Sequence, residues 1–234
     1  MIPKIFHRIW LGGKPMPFHF SKWGESWMKL HPTWTMKLWT EKECSKLNNR
    51  DIFPKCTSLA QRSDIARYEI LYREGGVYLD TDMECLKNID MLVNGVDFFV
   101  CWQREDLKIY SNAVIGVTKG HKLLQKIVWD CRKNFTPEPW NAMGPPFFTK
   151  HVMGEPGVRV FDRKTFIPYT RDEYKAFPKH PMVITNPPAE SYAINHRSSI
   201  WYKDSTAPLP PPPPPPSPAP EKPLFTVRVN PTRT

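Results

Sequence analysis

Residues 58–82 read SLAQRSDIARYEILYREGGVYLDTD, and three local signals follow one another within them. Ser58 with Gln61 three residues later is a capping-box start, and the helix it opens runs from about Leu59 to Arg73. Gly75 and Gly76 are a C-terminal stop, because a left-handed turn after a helix suits glycine. VYLD then reads as a strand, and Asp80 and Asp82 stand two residues apart at its end. Side chains at i and i+2 of a strand share a face, so extended geometry carried through to Asp82 would aim both carboxylates at one place.

Outward from this segment, strand-like and helix-like patterns alternate. IPKIFHRIW reads as a first strand, FHFSKWGESWMKLH as an amphipathic helix, TMKLW as a second strand and TEKECSKLN as a short helix. On the C-terminal side, DFFVCW and NAVIGV read as strands, followed by a helix over roughly His121 to Asn134. Alternation of this kind predicts an α/β fold, a largely parallel sheet covered by helices on both faces. Sites in such sheets lie beyond the carboxyl ends of the strands, where the aspartate pair sits.

Two hard carboxylates in that position suit Mg²⁺ or Mn²⁺, which keep waters and bind through one or two carboxylates plus substrate phosphates. An acidic pair after a strand is also common in loops without function. Asp64 and Arg67 stand at i and i+3 on the preceding helix, and two readings of them are open. One is an internal salt bridge worth about 0.2 to 0.5 kcal/mol, which also suits Glu69 and Arg73 at i and i+4. The other turns the acid and the guanidinium toward the sheet end, where they would grip sugar hydroxyls.

Composition narrows the class. The 234 residues are 40% hydrophobic and 13% aromatic, which is globular rather than disordered. Five cysteines without a CxxC pair argue against a disulfide framework or a structural zinc site and for a reducing compartment. No run of eighteen apolar residues occurs, and MIPKIFHRIW is not a signal peptide, so a soluble cytoplasmic protein is expected. The formal charge of +10 fits nucleic acid, an anionic surface or an anionic small substrate. Because the basic residues are scattered rather than clustered, a nucleic-acid-binding or scaffold module is the weaker reading.

After Asp204 the composition changes, and Pro210 to Pro216 form an unbroken proline tract. Such a tract favours extended polyproline II and acts as a semi-rigid spacer. The expected organisation is one domain over 1–205, a proline-rich linker over 206–223, and the start of a further segment over 224–234, with more domains in the full polypeptide.

The run S-D-x-x-R-Y-x-x-L-Y-x-x-G-G-V-Y-x-D-x-D, from Ser63 to Asp82, resembles the signature of the DXD sugar transferases of glycosyltransferase family 32 and of the glucosylating clostridial toxins. IPKIFHRIWLGG is similar to that family's first strand and turn, SNAVIGVTKGH to its middle segment and SYAINHRSSIW to its closing segment. The resemblance spans most of residues 1–205. It implies a single GT-A-type domain, with a mixed, mostly parallel sheet flanked by helices, that transfers a sugar from a nucleotide-sugar to a glycan or glycoprotein acceptor. A UDP-sugar is favoured over a GDP-sugar, with Mn²⁺ or Mg²⁺ as cofactor.

Residue by residue, it implies that Trp10 stacks on the base and that Leu11, Ser63, Tyr78, Thr81, Asn112, Ser199 and Trp201 contribute to donor binding. Asp64 and Arg67 would hold the transferred sugar, Asp80 would lie near ribose and sugar, and these three form the catalytic set. Asp80, Asp82 and His196 form the implied metal set. The match departs from the pattern where Asn195 replaces a second histidine and Ser199-Ile200 replaces glycine-serine. Soluble transferases joined to proline tracts also resemble those with which large algal viruses glycosylate their capsids.

Retention of anomeric configuration is expected, by same-face substitution, because no unambiguous carboxylate nucleophile is present. The competing enzyme class is a haloacid-dehalogenase-like phosphohydrolase, which also uses DxD. That class needs threonine or valine two residues after the second aspartate, where this chain has Glu84.

Overall fold

The structure is a computed structural model and describes residues 1–136, 143–175 and 187–198. The elements run β1 (Ile5–Ile9), α1 (Phe18–Leu30), β2 (Thr35–Trp39), α2 (Glu41–Cys44), a 3-10 helix (Asn48–Lys55), α3 (Leu59–Glu74), β3 (Gly76–Leu79), β4 (Met83–Cys85) and α4 (Asp90–Val93). They continue with β5 (Phe98–Arg104), β6 (Ile109–Tyr110), β7 (Val114–Val117), α5 (Lys122–Lys133), α6 (Pro145–Val152), β8 (Val158–Phe161), α7 (Arg163–Phe166), α8 (Arg171–Lys175) and β9 (Ala193–Asn195).

The central sheet has the order β2-β1-β3-β7-β5-β6, with β8 also paired to β5. Strands β1, β2 and β3 are mutually parallel, and β5 and β8 are parallel to each other. β7 runs against both β3 and β5, and β6 runs against β5. Five of the seven strands therefore share one direction, a mixed sheet flanked by helices in a single domain. The two reversed strands are β6 and β7, and β7 is the segment NAVIGV, which sequence alternation had grouped with the parallel ones. A parallel return needs a crossover of a dozen or more residues, and the short connection from β5 through β6 is too brief for one.

β3 is the pivot of this arrangement. All four of its residues are buried, as expected for a central strand covered on both faces. Gly75 and Gly76 both have positive φ, and a Cβ on Gly75 would strike the Lys119 amide and Pro3 while one on Gly76 would strike the Ile5 carbonyl. These glycines reverse the chain from α3 into β3 where no side chain fits.

One core layer packs Phe6, Trp27, Trp34 and Phe99 beneath α1, and the other packs Ile9, Tyr68, Ile70 and Phe148 beneath α3 and α5. His7 bridges the strands from inside, with Nε2 2.8 Å from the Gly75 carbonyl and Nδ1 accepting from Trp39 Nε1. Burial lowers its pKa to about 4, so the ring is neutral at physiological pH.

α3 is unusual in burying Asp64, Arg67 and Glu69 as well as its apolar residues. Buried charges persist only with partners, so each of these has a structural explanation to find. Glu69 accepts the backbone amides of Asn48 and Asn49 at 2.5 and 3.0 Å and so caps the 3-10 helix. Its predicted partner Arg73 is looser, at 3.8 Å. The cap at the start of α3 is half of the expected box: Ser58 Oγ accepts the Gln61 amide, while Gln61 Oε1 takes the amide of Thr57.

Candidate active site

Three elements converge at the carboxyl end of β3. From α3, Arg67 sends Nη2 to within 2.9 Å of Asp64 Oδ1 and Nη1 to within 3.1 Å of Asp80 Oδ1. The same guanidinium donates to the Asn112 carbonyl at 2.7 Å and lies 4.4 Å from the centre of the Tyr78 ring. From the start of β7, Asn112 donates its side-chain amide to Asp64 Oδ1 at 2.9 Å, and Tyr68 Oη stands 3.2 Å from the same nitrogen. Asp64 and Arg67 therefore pair with each other, as in the first reading, and also stand at the sheet end, where the second placed them.

The two aspartates reach the site in a way that strand periodicity did not foresee. β3 ends at Leu79, and Asp80 and Asp82 sit in a turn closed by the Met83 amide donating to the Asp80 carbonyl. Tyr78 Oη donates to Asp80 Oδ1 at 2.9 Å. Asp82 Oδ2 accepts from the backbone amide of Ser198 at 2.9 Å and its hydroxyl at 3.1 Å. Among the described residues, Oδ2 of Asp80 and Oδ1 of Asp82 carry no hydrogen bond.

These groups line one cleft of about 1130 Å³, together with Thr81 and, on the opposite wall, the β5–β6 hairpin and Arg197. Burial pushes the Asp64 carboxyl up to about 7, against the pull of Arg67 and Asn112. Burial also lifts Asp80 to about 6, with Arg67 opposing and Asp82 adding to the rise. Arg67 is held above its usual value: burial disfavours its charge, but Tyr78, Asp64 and Asp80 outweigh that. Two carboxyls raised by burial beside a fixed cation in a cleft mark a candidate functional site.

The other predicted residues separate into groups. Ser63 is buried behind the cleft, bonding Arg67 and Tyr78 rather than facing a ligand. Trp10 is only 8% exposed, packs against Phe20 and donates its indole N–H to the Lys14 carbonyl. Leu11 is a core residue. Ser199 and Trp201 lie outside the described residues, as do the proline-rich linker and the segment after it.

His196 requires a correction. Its Nε2 is 2.8 Å from Glu84 Oε2 and its Nδ1 is 2.9 Å from Tyr174 Oη, while the ring stacks on Trp23 at 4.0 Å. Both nitrogens are engaged, so the ring offers no lone pair for a cation. Its backbone amide bonds the Asp82 carbonyl, so the closing segment still meets the aspartate turn. Among the described residues, no group of three His, Cys, Asp or Glu side chains could hold a metal.

Sequence reasoning missed Arg8, which is 4% exposed on β1 and donates Nη2 to the Thr81 carbonyl at 2.6 Å, between the two aspartates. A charged residue inside the otherwise apolar run IFHRIW was the available signal.

Residues 17–99, which contain the whole of α3, β3 and the aspartate turn, match the family described as glycosyltransferase sugar-binding region containing DXD motif. This part of the chain, with the aspartate turn inside it, is similar to the DXD glycosyltransferases. Uncharacterized glycosyltransferase L373 of Acanthamoeba polyphaga mimivirus is 30% identical over 65% of this chain and 65% of its own. Inositol phosphoceramide mannosyltransferase 3 of Schizosaccharomyces pombe is 32% identical over 54% of this chain and 36% of its own. The chain thus spans less than two thirds of the length of these relatives. Among solved structures, the PaToxG glycosyltransferase has a TM-score of 0.52 at 20% identity over 64% of this chain and 69% of that one, a likeness of fold.

The DXD glycosyltransferase likeness displaces the phosphohydrolase alternative. In its terms, Asp80 and Asp82 are the two acids of the motif, and the hydroxylic residue between them, Thr81, is the one that Arg8 holds by its carbonyl. No described helix of the domain is long and apolar enough to cross a membrane.

Proposed function

We propose that the cleft binds a nucleotide-sugar, with a UDP-sugar favoured, and transfers its sugar to a glycan or glycoprotein acceptor with retention of configuration. The observation that carries this reading is the convergence of Asp64, Arg67, Asn112, Asp80 and Asp82, drawn from three elements, on a single cleft.

The donor set fits Mn²⁺ or Mg²⁺. Two hard carboxylates each keep one oxygen open toward the cleft, and such cations complete their shells with water and phosphate oxygens. Asp82 would hold the ion, with Asp80 assisting. When bound there, a divalent cation supplies electrostatic stabilisation to a departing diphosphate. The protein's own groups do the rest. Asp64, near its midpoint at neutral pH, accepts or donates a hydrogen bond to a sugar hydroxyl, and Asn112 fixes its orientation. Arg67 holds both carboxylates in place with a planar fork that a lysine cannot reproduce. The cleft extends beyond these residues to the β5–β6 hairpin, leaving room on that side for an acceptor hydroxyl.

A cytoplasmic setting is part of the proposal, supported by five cysteines that are all free and buried. So is the role of the proline-rich segment as a spacer to further domains. The mannosyl transfer in the yeast relative's name makes a GDP-sugar the comparison to run against UDP-sugars.

The deciding experiment is a thermal-shift screen of UDP- and GDP-sugars with and without Mn²⁺, since a ligand bound only to the folded state raises its melting temperature. A metal-dependent shift with a UDP-sugar is expected. A shift confined to GDP-sugars would replace the donor, and no shift with any nucleotide would remove the donor site altogether.

A further inference from the structure

Arg8 lies in β1, buried, and is not among the residues that line the cleft. Its Nη2 donates to two carbonyls, Phe20 in α1 at 2.7 Å and Thr81 in the aspartate turn at 2.6 Å. Its Nε is buried without a hydrogen-bond partner, so the side chain is not placed merely to satisfy its own donors. Burial lowers its pKa to about 10, so the guanidinium stays charged at physiological pH, and the nearby Tyr78 and Asp82 favour that charge. A buried cation without a direct carboxylate partner is costly, and cores seldom keep one without a purpose.

The room for it comes from Gly24. This glycine sits inside α1, where glycine is a poor helix former, and a Cβ there would collide with Arg8 Nη1. Glycine at 24 and arginine at 8 are thus one device: the helix gives up a side chain so that the guanidinium can pass beneath it and reach the turn.

We propose that Arg8 is a positioning residue for the DXD turn: seated in the space Gly24 leaves, its guanidinium holds the Thr81 carbonyl and so fixes Asp80 and Asp82 in their cleft-facing arrangement. The other backbone ties of the turn are the Asp80 amide to the Ala113 carbonyl, the Met83 amide to the Asp80 carbonyl and the His196 amide to the Asp82 carbonyl, none of which engages Thr81 itself. The consequence for metal binding rests on the function proposed above; the consequence for the turn itself does not.

The test uses Arg8→Met, Arg8→Lys, Gly24→Ala and the Arg8→Met/Gly24→Ala double variant, each well below its unfolding temperature. Mn²⁺ affinity by electron paramagnetic resonance is expected to fall about tenfold or more in Arg8→Met, the effect typical of removing a group that orients a ligand from behind. Arg8→Lys recovers part of that loss. Gly24→Ala, which should help the helix, weakens Mn²⁺ binding as well, and the double variant is no worse than Arg8→Met alone. Amide exchange in metal-free protein provides the second reading: Met83 exchanges faster in Arg8→Met while β1 and β7 amides keep their protection. Wild-type Mn²⁺ affinity in a folded Arg8→Met, or additive losses in the double variant, would overturn the proposal, as would unchanged or uniformly faster exchange. Wild-type protein that binds no Mn²⁺ would sink the metal reading alone, leaving the exchange experiment to decide on Arg8; should Arg8→Met fail to fold, Gly24→Ala carries both measurements.

Discussion

Nη1 of Arg67 lies 3.1 Å from Oδ1 of Asp80, an ion pair that ties the long helix α3 to the end of the central strand β3. Because Arg67 is almost fully buried and holds Asp64 as well, its removal strands two carboxylates. Arg67→Met is therefore expected to destabilise the domain by about 3 kcal/mol, the lower end of the range for breaking a buried pair, since both acids can take up protons. Urea unfolding would read this, and a loss below about 1 kcal/mol would show that the network contributes little to folding.

Asp82 differs, its carboxylate being held by Ser198 alone among the described residues. Asp82→Asn should cut metal-dependent turnover by roughly 100-fold or more while shifting the melting temperature by no more than about 2 °C, because the lost term is electrostatic and local. Unchanged turnover would mean that another carboxylate holds the ion.

The raised pKa of Asp64 makes a signed prediction about stability. The unfolded carboxyl ionises near its ordinary value of 3.8, but the folded one stays protonated up to about 7. Between those limits the folded state binds more protons, so this group's contribution to stability is present at low pH and is lost as pH rises through about 7. Asp64→Asn does not titrate. The stability of the variant relative to wild type should therefore rise from pH 5 to pH 8, as followed by urea melts; a flat difference would mean Asp64 is already ionised at pH 5. Taking the difference between the two proteins cancels the opposite trend from His7, whose pKa of about 4 adds stability as pH rises from 4 to 6.5.

Gly116 tests the sheet. It lies in β7 opposite Phe99, and a Cβ there would run into the Phe99 ring. Gly116→Ala should cost about 1 to 3 kcal/mol through overpacking in a site that cannot expand. Pairing it with Phe99→Leu should recover part of the loss in a double-mutant cycle.

The sequence carried the elements that matter most because their signals were local. The cap at Ser58, the glycine stop and the apolar run of β3 each act within a few residues, and the structure places α3 and β3 within one residue of the expected ends. What was illegible depended on distant partners. Whether Asp64 and Arg67 served only the helix was decided by Asn112, 48 residues away, and His196 was taken out of the metal set by Tyr174 and Glu84, of which Glu84 lies 112 residues away. The strands β4, β6, β8 and β9 were missed because they are two to four residues long and owe their existence to pairing. Trp10 illustrates the remaining difficulty: a tryptophan after a first strand suits a base platform or a core equally, and its packing against Phe20 depends on a residue ten positions away.

The reversal of β7 has a mechanical consequence. Since β7 enters the sheet where β3 leaves it, Asp80 and Asn112 lie just beyond the ends of two strands paired residue by residue, and the Asp80 amide on the Ala113 carbonyl extends that pairing. The floor of the cleft cannot flex without unzipping the middle of the sheet. The opposite side is held differently: Asn195 to Ser198 are fastened by the short β4–β9 ribbon, by the bonds of His196 to Glu84 and Tyr174, and by Asp82. The residue proposed to grip the cation thus also ties down the facing wall, so floor and wall of the cleft meet at Asp82.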